Sequence, residues 1–190
     1  MPTVRLSMSE PADDLLSRDP LALLIGMLLD QQVPMEKAFL GPHVLRERLG
    51  RELDARELAE LPAERVAELF SERPAIHRFP GSMAGRVQAL CKHLLEHYDG
   101  RAEAIWADVA TGAELLARLS ALPGFGAQKA KIFLALLGKQ YDVRPEGWRA
   151  AAGTYGEADA HRSVADVVDA DSLAQVREYK KQAKQAAKQA

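Results

Sequence analysis

The residues whose types and spacing can do chemistry fall in four stretches. In the first, Leu122-Pro123-Gly124-Phe125-Gly126-Ala127-Gln128-Lys129-Ala130, two glycines bracket one apolar residue between two amphipathic segments. Gly124 and Gly126 allow backbone torsions or close approaches that a side chain forbids. Phe125 can pin the turn to the core while the amides that open the second helix point outward. Together with the positive end of the helix dipole, those amides make an anion site. Lys129 and Lys131 stand in the first turn and a half, within reach of the same anion. Holding a nucleic-acid backbone irrespective of sequence is a task such an element suits. An ordinary glycine turn between two helices is the plain alternative.

The second stretch is Gln31-Gln32, at the polar end of the apolar run Leu21–Leu29. Primary amides both donate and accept hydrogen bonds and can serve a polar partner. A polar helix end exposed to water is the simpler reading. The third stretch, Asp142-Val143-Arg144-Pro145-Glu146-Gly147-Trp148-Arg149, offers two carboxylates, two guanidiniums and an indole, with Tyr155 following. Trp148 and Tyr155 can stack on a base, though a tryptophan in a helical protein also serves core packing. Glu146 can equally cap a helix that begins near Gly147. The fourth stretch, His93-Leu94-Leu95-Glu96-His97, fits the inverted zinc-peptidase pattern His-x-x-Glu-His. Its imidazoles fall mainly on the polar side of their helix, with no third ligand announced nearby.

The elements that position these stretches read as helices. Residues 20–32 are apolar on most sides, the signature of a helix buried among others. Pro34 suits the start of the next helix, which Gly41-Pro42 should interrupt before a second piece with Val44, Leu45 and Leu49. Asp54 is placed to cap the segment with Leu58 and Leu61, and Pro62 to open another. A loop over 71–82 precedes the stripe Met83, Val87, Leu90, Cys91, Leu94, Leu95, Tyr98 at helical spacing. Thr111 or Gly112 starts the helix before the glycine turn, Gly138 ends the one after it, and Asp171 or Ser172 caps a last helix. No repeat is visible, and the spacing predicts an all-α fold.

Composition narrows the function classes. The 190 residues are 47% hydrophobic and 27% charged, which supports a folded core rather than disorder. One cysteine, Cys91, excludes an intrachain disulfide, a four-cysteine zinc site and a cysteine-bound iron–sulfur cluster. No apolar run approaches the roughly 20 residues that span a bilayer, and the N-terminus lacks a basic-then-apolar leader pattern. A cytoplasmic protein without membrane association is the expectation, nucleoid-associated if its source is bacterial. Net charge is −2, but residues 177–190 hold five cations against Glu178 alone, so this tail carries +4 and the rest −6. Such a tail can follow phosphates through counterion release, or simply keep the chain soluble.

The hairpin 122–130 resembles that of the helix-hairpin-helix DNA glycosylases, the superfamily of endonuclease III and 3-methyladenine glycosylase II. Their pattern runs Leu-Pro-Gly-apolar-Gly, two variable residues, then commonly Thr-Ala. The run Leu28-Leu29-Asp30-Gln31-Gln32-Val33 is similar to the helix end where many members carry a Gln-Gln pair, on a loop that fills the gap left by a flipped nucleotide. The two matches occur in the family's order and span about Leu21 to Gly138.

The resemblance implies an all-α, two-lobed fold with a DNA-binding cleft. Residues 21–138 would form a helical lobe with the helix-hairpin-helix at about 112–138. Residues 1–20 would join a second lobe over 139–176, and 177–190 would be an exposed basic tail. It implies a protein of base-excision repair acting, most simply as a monomer, on double-stranded DNA with a damaged or mispaired base. Gly124, Phe125, Gly126, Gln128, Lys129, Lys131, Gln31 and Gln32 would contact DNA, and Trp148 and Tyr155 are candidates for the base pocket. Members with lyase activity use a lysine where this chain has Gln128, so a monofunctional glycosylase is expected, with water attacking the sugar. The family's essential aspartate falls nearest Glu146 by spacing, with Asp142 second. No cofactor is expected, although a monovalent cation at the hairpin is compatible with the pattern. A binder that kept the hairpin and lost catalysis is the alternative, and a zinc peptidase through His93, Glu96 and His97 a remote one.

Overall fold

The computed structural model describes residues 2–189 as ten α-helices joined by short turns, with no β-strand among them. They are α1 (Glu10–Arg18), α2 (Pro20–Leu29), α3 (Met35–Leu49), α4 (Ala55–Glu60), α5 (Ala63–Ser71) and α6 (Pro80–Tyr98), followed by α7 (Gly112–Ser120), α8 (Ala127–Gln140), α9 (Trp148–Ala152) and α10 (Ala170–Gln189). Short 3-10 turns cover 102–105, 153–156 and 164–166. The all-α class expected from the periodicity is what the chain adopts. No described helix is long and apolar enough to cross a membrane.

α2 is the centre of the molecule. Every residue from Leu21 to Leu29 is buried, as an all-apolar helix must be in water. Asp19 starts it, its Oδ1 accepting the Leu21 and Ala22 amides at 2.9 and 3.3 Å, with Pro20 at the first helical position. Other expected caps form as well. Asp54 accepts the Glu57 amide at 2.8 Å, and Thr111 accepts the Glu114 amide at 3.2 Å. The buried apolar residues make one contiguous cluster from Val4 to Val176.

Four boundaries differ from the sequence reading. α3 continues through Gly41-Pro42 instead of breaking there. Proline removes one helical hydrogen bond, but both residues are buried, and a Cβ on Gly41 would lie 2.7 Å from Leu29 Cδ1. Close packing on α2 thus keeps the helix intact where local propensity would break it. α6 begins at Pro80 rather than Met83, and α8 runs to Gln140, past Gly138. The last helix is capped by Asp169, two residues ahead of the expected start, with its carboxylate accepting the Ser172 amide at 2.8 Å.

Residues 139–166 fold back on α8 through polar ties. Lys139 pairs with the buried Asp166, and Gln140 Nε2 donates to the Ala165 and Val167 carbonyls at 2.8 and 3.0 Å. The Tyr141 hydroxyl reaches the Ser17 carbonyl at 3.3 Å, tying this stretch to α1.

Candidate nucleic-acid interface

The α7–α8 hairpin is built from its two buried apolar residues outward. Leu122 and Phe125 are buried, Phe125 packing on Phe133 with ring centroids 6.0 Å apart, and the Phe125 amide closes the turn on the Leu122 carbonyl at 3.1 Å. Gly124 holds φ +82°, in the left-handed region, and a Cβ there would meet Leu28 Cδ1 at 2.5 Å. The turn therefore sits directly on α2. Gly124, Gly126, Ala127 and Gln128 are exposed. α8 starts at Ala127 with no side-chain cap, and the amides of Gly126 through Lys129 donate to no acceptor among the described residues. Four donors at the positive end of a 14-residue helix are thus left without a partner among the described residues.

Beside the hairpin lies the loop that leaves α2. Lys129 joins the two, its Nζ donating to the carbonyls of Met27, Leu28 and Asp30 at 2.7, 3.3 and 3.1 Å. These carbonyls form the negative end of α2, so the ammonium caps the helix and fixes the loop against the hairpin. Burial pushes the Lys129 pKa down, while nearby Asp30 opposes the shift. The structure thus places Lys129 under α2 rather than among the hairpin amides.

The two glutamines differ in role. Gln31 is tied on every side. Its Nε2 donates to the Leu28 carbonyl at 2.8 Å, its Oε1 accepts Arg86 Nη1 at 2.7 Å, and its carbonyl accepts His77 Nε2 at 2.9 Å. Gln32 is exposed at φ +57°, a conformation L-residues other than glycine seldom adopt. The anchored Gln31 holds the strained Gln32 at the tip.

Loop and hairpin border an open cavity of about 520 Å³, a size suited to small-molecule-scale ligands. One wall is Asp30–Val33 with Gln128, Lys129 and Ile132; the other is Thr154, Tyr155, Arg162 and, from α10, Tyr179, Lys180 and Ala183. Gln128 Nε2 donates to the Tyr155 hydroxyl at 2.9 Å across the mouth. Asp30 is the one carboxylate in this lining. Burial raises its pKa above the usual carboxylate range, against the pull of Lys180 and Lys129.

The other expected site residues lie elsewhere. Glu146 is exposed at the opposite end of the hairpin, where its amide donates to the Ala110 carbonyl at 3.1 Å and its carbonyl accepts the Gly112 amide at 2.7 Å. Asp142 is exposed and paired with Arg144 at 3.1 Å. Neither borders the cavity. Trp148, one of the two base-pocket candidates, does not line the cavity either. Its indole is buried on α8, so close that a Cβ on Gly138 would lie 2.3 Å from it, with Arg149 over its face at 4.4 Å. Tyr155 does line the cavity, and Lys131 is exposed on α8. The His93 and His97 rings lie 4.3 Å apart, tilted at 44°, and no group of three or more His, Cys, Asp or Glu among the described residues is placed to hold a metal ion.

Sequence reasoning passed over Asp30 and His77. A signal for Asp30 was present: an acid closing a helix sits at the negative end of the dipole, where cations are favoured. Nothing local marked His77, which is 1% exposed and 46 residues from its partner Gln31. His77 Nδ1 accepts the Phe79 amide at 3.0 Å, so Nε2 carries the proton given to Gln31 and the ring is neutral. Burial holds its pKa below the ordinary 6.5. A depressed folded pKa means that the unfolded chain takes up a proton first. This stability is complete above about pH 6.5 and is lost as the pH falls toward the depressed value, at up to about 1.4 kcal/mol per pH unit. Denaturation followed from pH 7.5 to 5.5 should therefore decline less steeply in His77→Gln than in the unsubstituted chain.

In comparisons with known proteins, no family model matches the chain and no curated protein matches it.

Proposed function

We propose that this chain binds damaged or mispaired duplex DNA, takes an extruded nucleotide into the cavity beside the hairpin, and hydrolyses its N-glycosidic bond. The observation that carries this reading is the row of unpaired amides from Gly126 to Lys129, whose first helical turn also forms part of the cavity wall. Backbone amides at a helix start bind phosphate without regard to sequence. An adjoining cavity is what an enzyme needs to work on a base that it cannot reach in the stack. Gln32, exposed at the cavity mouth, is placed to enter the gap that the extruded nucleotide leaves. Elements from both expected lobes bound the cavity, as in the two-lobed helix-hairpin-helix glycosylases that the sequence resembles.

The residues favour hydrolysis over lyase chemistry. Gln128 has no amine, and the three carbonyls around Lys129 Nζ engage an ammonium, leaving no lone pair for attack on a sugar carbon. Water attacks C1′ of the sugar. The glycosidic C–N bond breaks with its electron pair leaving on the base, which takes up the proton that water releases. Asp30 is the carboxylate that borders the cavity and would stabilise the cationic sugar there, whereas neither Glu146 nor Asp142 lines it.

One observation favours the second reading, a DNA binder without catalysis: Asp30 shares its surroundings with Lys180 and Lys129, which neutralise the charge that the sugar cation would need. Incubation with a panel of lesion-bearing duplexes, followed by alkali, separates the two. Strand cleavage only after alkali, with no borohydride-trapped adduct, is the expected result. Binding without cleavage of any lesion would establish the silent binder.

A further inference from the structure

We infer that α10 is a second DNA grip, a basic arm that lies along the sugar–phosphate backbone on the far side of the cavity from the hairpin; this rests on the DNA-binding reading above. α10 buries Ser172, Leu173 and Val176, and every described residue from Arg177 to Gln189 is exposed. Where the helix leaves the core it passes the cavity, which Lys180 and Ala183 line. Arg177 pairs with Glu36 in the first turn of α3, fixing the direction in which α10 departs.

The cations are not scattered. At about 100° of rotation per residue, Arg177, Lys180, Lys181, Lys184 and Lys188 all fall within an arc of about 100°. Glu178, Gln182, Gln185 and Gln189 occupy the adjoining arc, and alanines much of the remainder. The stripe runs about 16 Å, with Lys180 at its cavity edge. Like charges spaced three and four apart repel and weaken a helix. A tail that served only solubility would do better with its lysines dispersed. Aligned lysines, of which only Lys180 has a carboxylate, Asp30, in its surroundings, suit a partner that is itself a line of negative charge. A bilayer surface fits less well, because the exposed length offers Tyr179 and small alanines but no broad apolar face to insert.

The test is fluorescence anisotropy of the full chain with a 20-base-pair duplex between 50 and 300 mM KCl, beside two variants. Lys180, Lys181, Lys184 and Lys188 are changed to Gln in the first. In the second, Lys181→Gln, Gln182→Lys, Lys184→Gln, Gln185→Lys, Lys188→Gln and Gln189→Lys keep the composition but turn three cations off the stripe. The first should weaken binding at 100 mM KCl at least about tenfold, and lower the slope of log affinity against log salt by about 3 to 4, near 0.9 per lost phosphate contact. The second should lose most of the same slope at unchanged net charge, with helix content by circular dichroism retained in both. A first variant that keeps the slope overturns the arm alone, as does a second that binds like the unsubstituted chain. Attachment to vesicles of 30% phosphatidylserine as tight as to the duplex also overturns it, in favour of a membrane partner. Failure of the unsubstituted chain to bind any duplex overturns the arm and the DNA-binding reading together.

Discussion

Asp30→Asn is expected to lower base release at least about a hundredfold, the scale seen when one group stabilising transition-state charge is removed, while duplex affinity holds or rises slightly. Asparagine keeps the shape of the side chain, and no hydrogen bond from the core depends on its charge; what anchors the loop is the Asp30 main-chain carbonyl, held by Lys129. Loss of one negative charge beside Lys180 and Lys129 leaves the surface more attractive to phosphate. Single-turnover assays on the lesion that is cleaved best give the rate, and anisotropy on the same duplex gives the affinity. Glu146→Gln and Asp142→Asn should leave both near the starting value, because neither residue borders the cavity. A large loss of release in Glu146→Gln with normal release in Asp30→Asn would reverse the assignment.

Gly124→Ala should destabilise the fold by about 2–3 kcal/mol, from two sources. Holding alanine at φ +82° costs on the order of 1–2 kcal/mol. The new methyl also comes within 2.5 Å of Leu28 Cδ1, in the most buried helix of the molecule. Leu28 must change rotamer in a packed core, which costs on the order of a further 1 kcal/mol. Urea denaturation reads the sum as a lower midpoint at unchanged slope. A loss under about 0.5 kcal/mol would mean that the turn is not seated on α2.

The parts of the molecule that were legible in the sequence are those decided locally. Pro123-Gly124-Phe125-Gly126 announced a glycine turn with a buried plug, and Asp54 and Thr111 announced their helices, because each acts on residues three or four positions away. The break expected at Gly41-Pro42 failed because packing between α2 and α3 outweighs the one hydrogen bond that proline removes. Spacing from Gln128 put Glu146 near the hairpin, yet spacing counts residues and not direction. α8 carries the chain away from the turn, and Glu146 is bound to the start of α7. The return to the cavity comes later, with Thr154 and Tyr155. Trp148 was drawn off for the same reason, onto the backbone of Gly138 at the far end of α8. Asp30 carries a local signal, an acid at the end of α2, but Lys129, which fixes its loop, lies 99 residues along the chain.

The measurement that bears most directly on the hairpin as a backbone grip is the duplex affinity of Gly126→Ala. Gly126 has ordinary extended torsions, φ −75° and ψ 174°, and a Cβ there meets no atom within 4 Å. The fold therefore accepts the methyl, which is added at the residue that opens the row of unpaired α8 amides. Duplex binding should weaken about tenfold or more, to a similar extent for every sequence and lesion, with an unchanged thermal midpoint. An affinity equal to that of the unsubstituted chain would contradict the account.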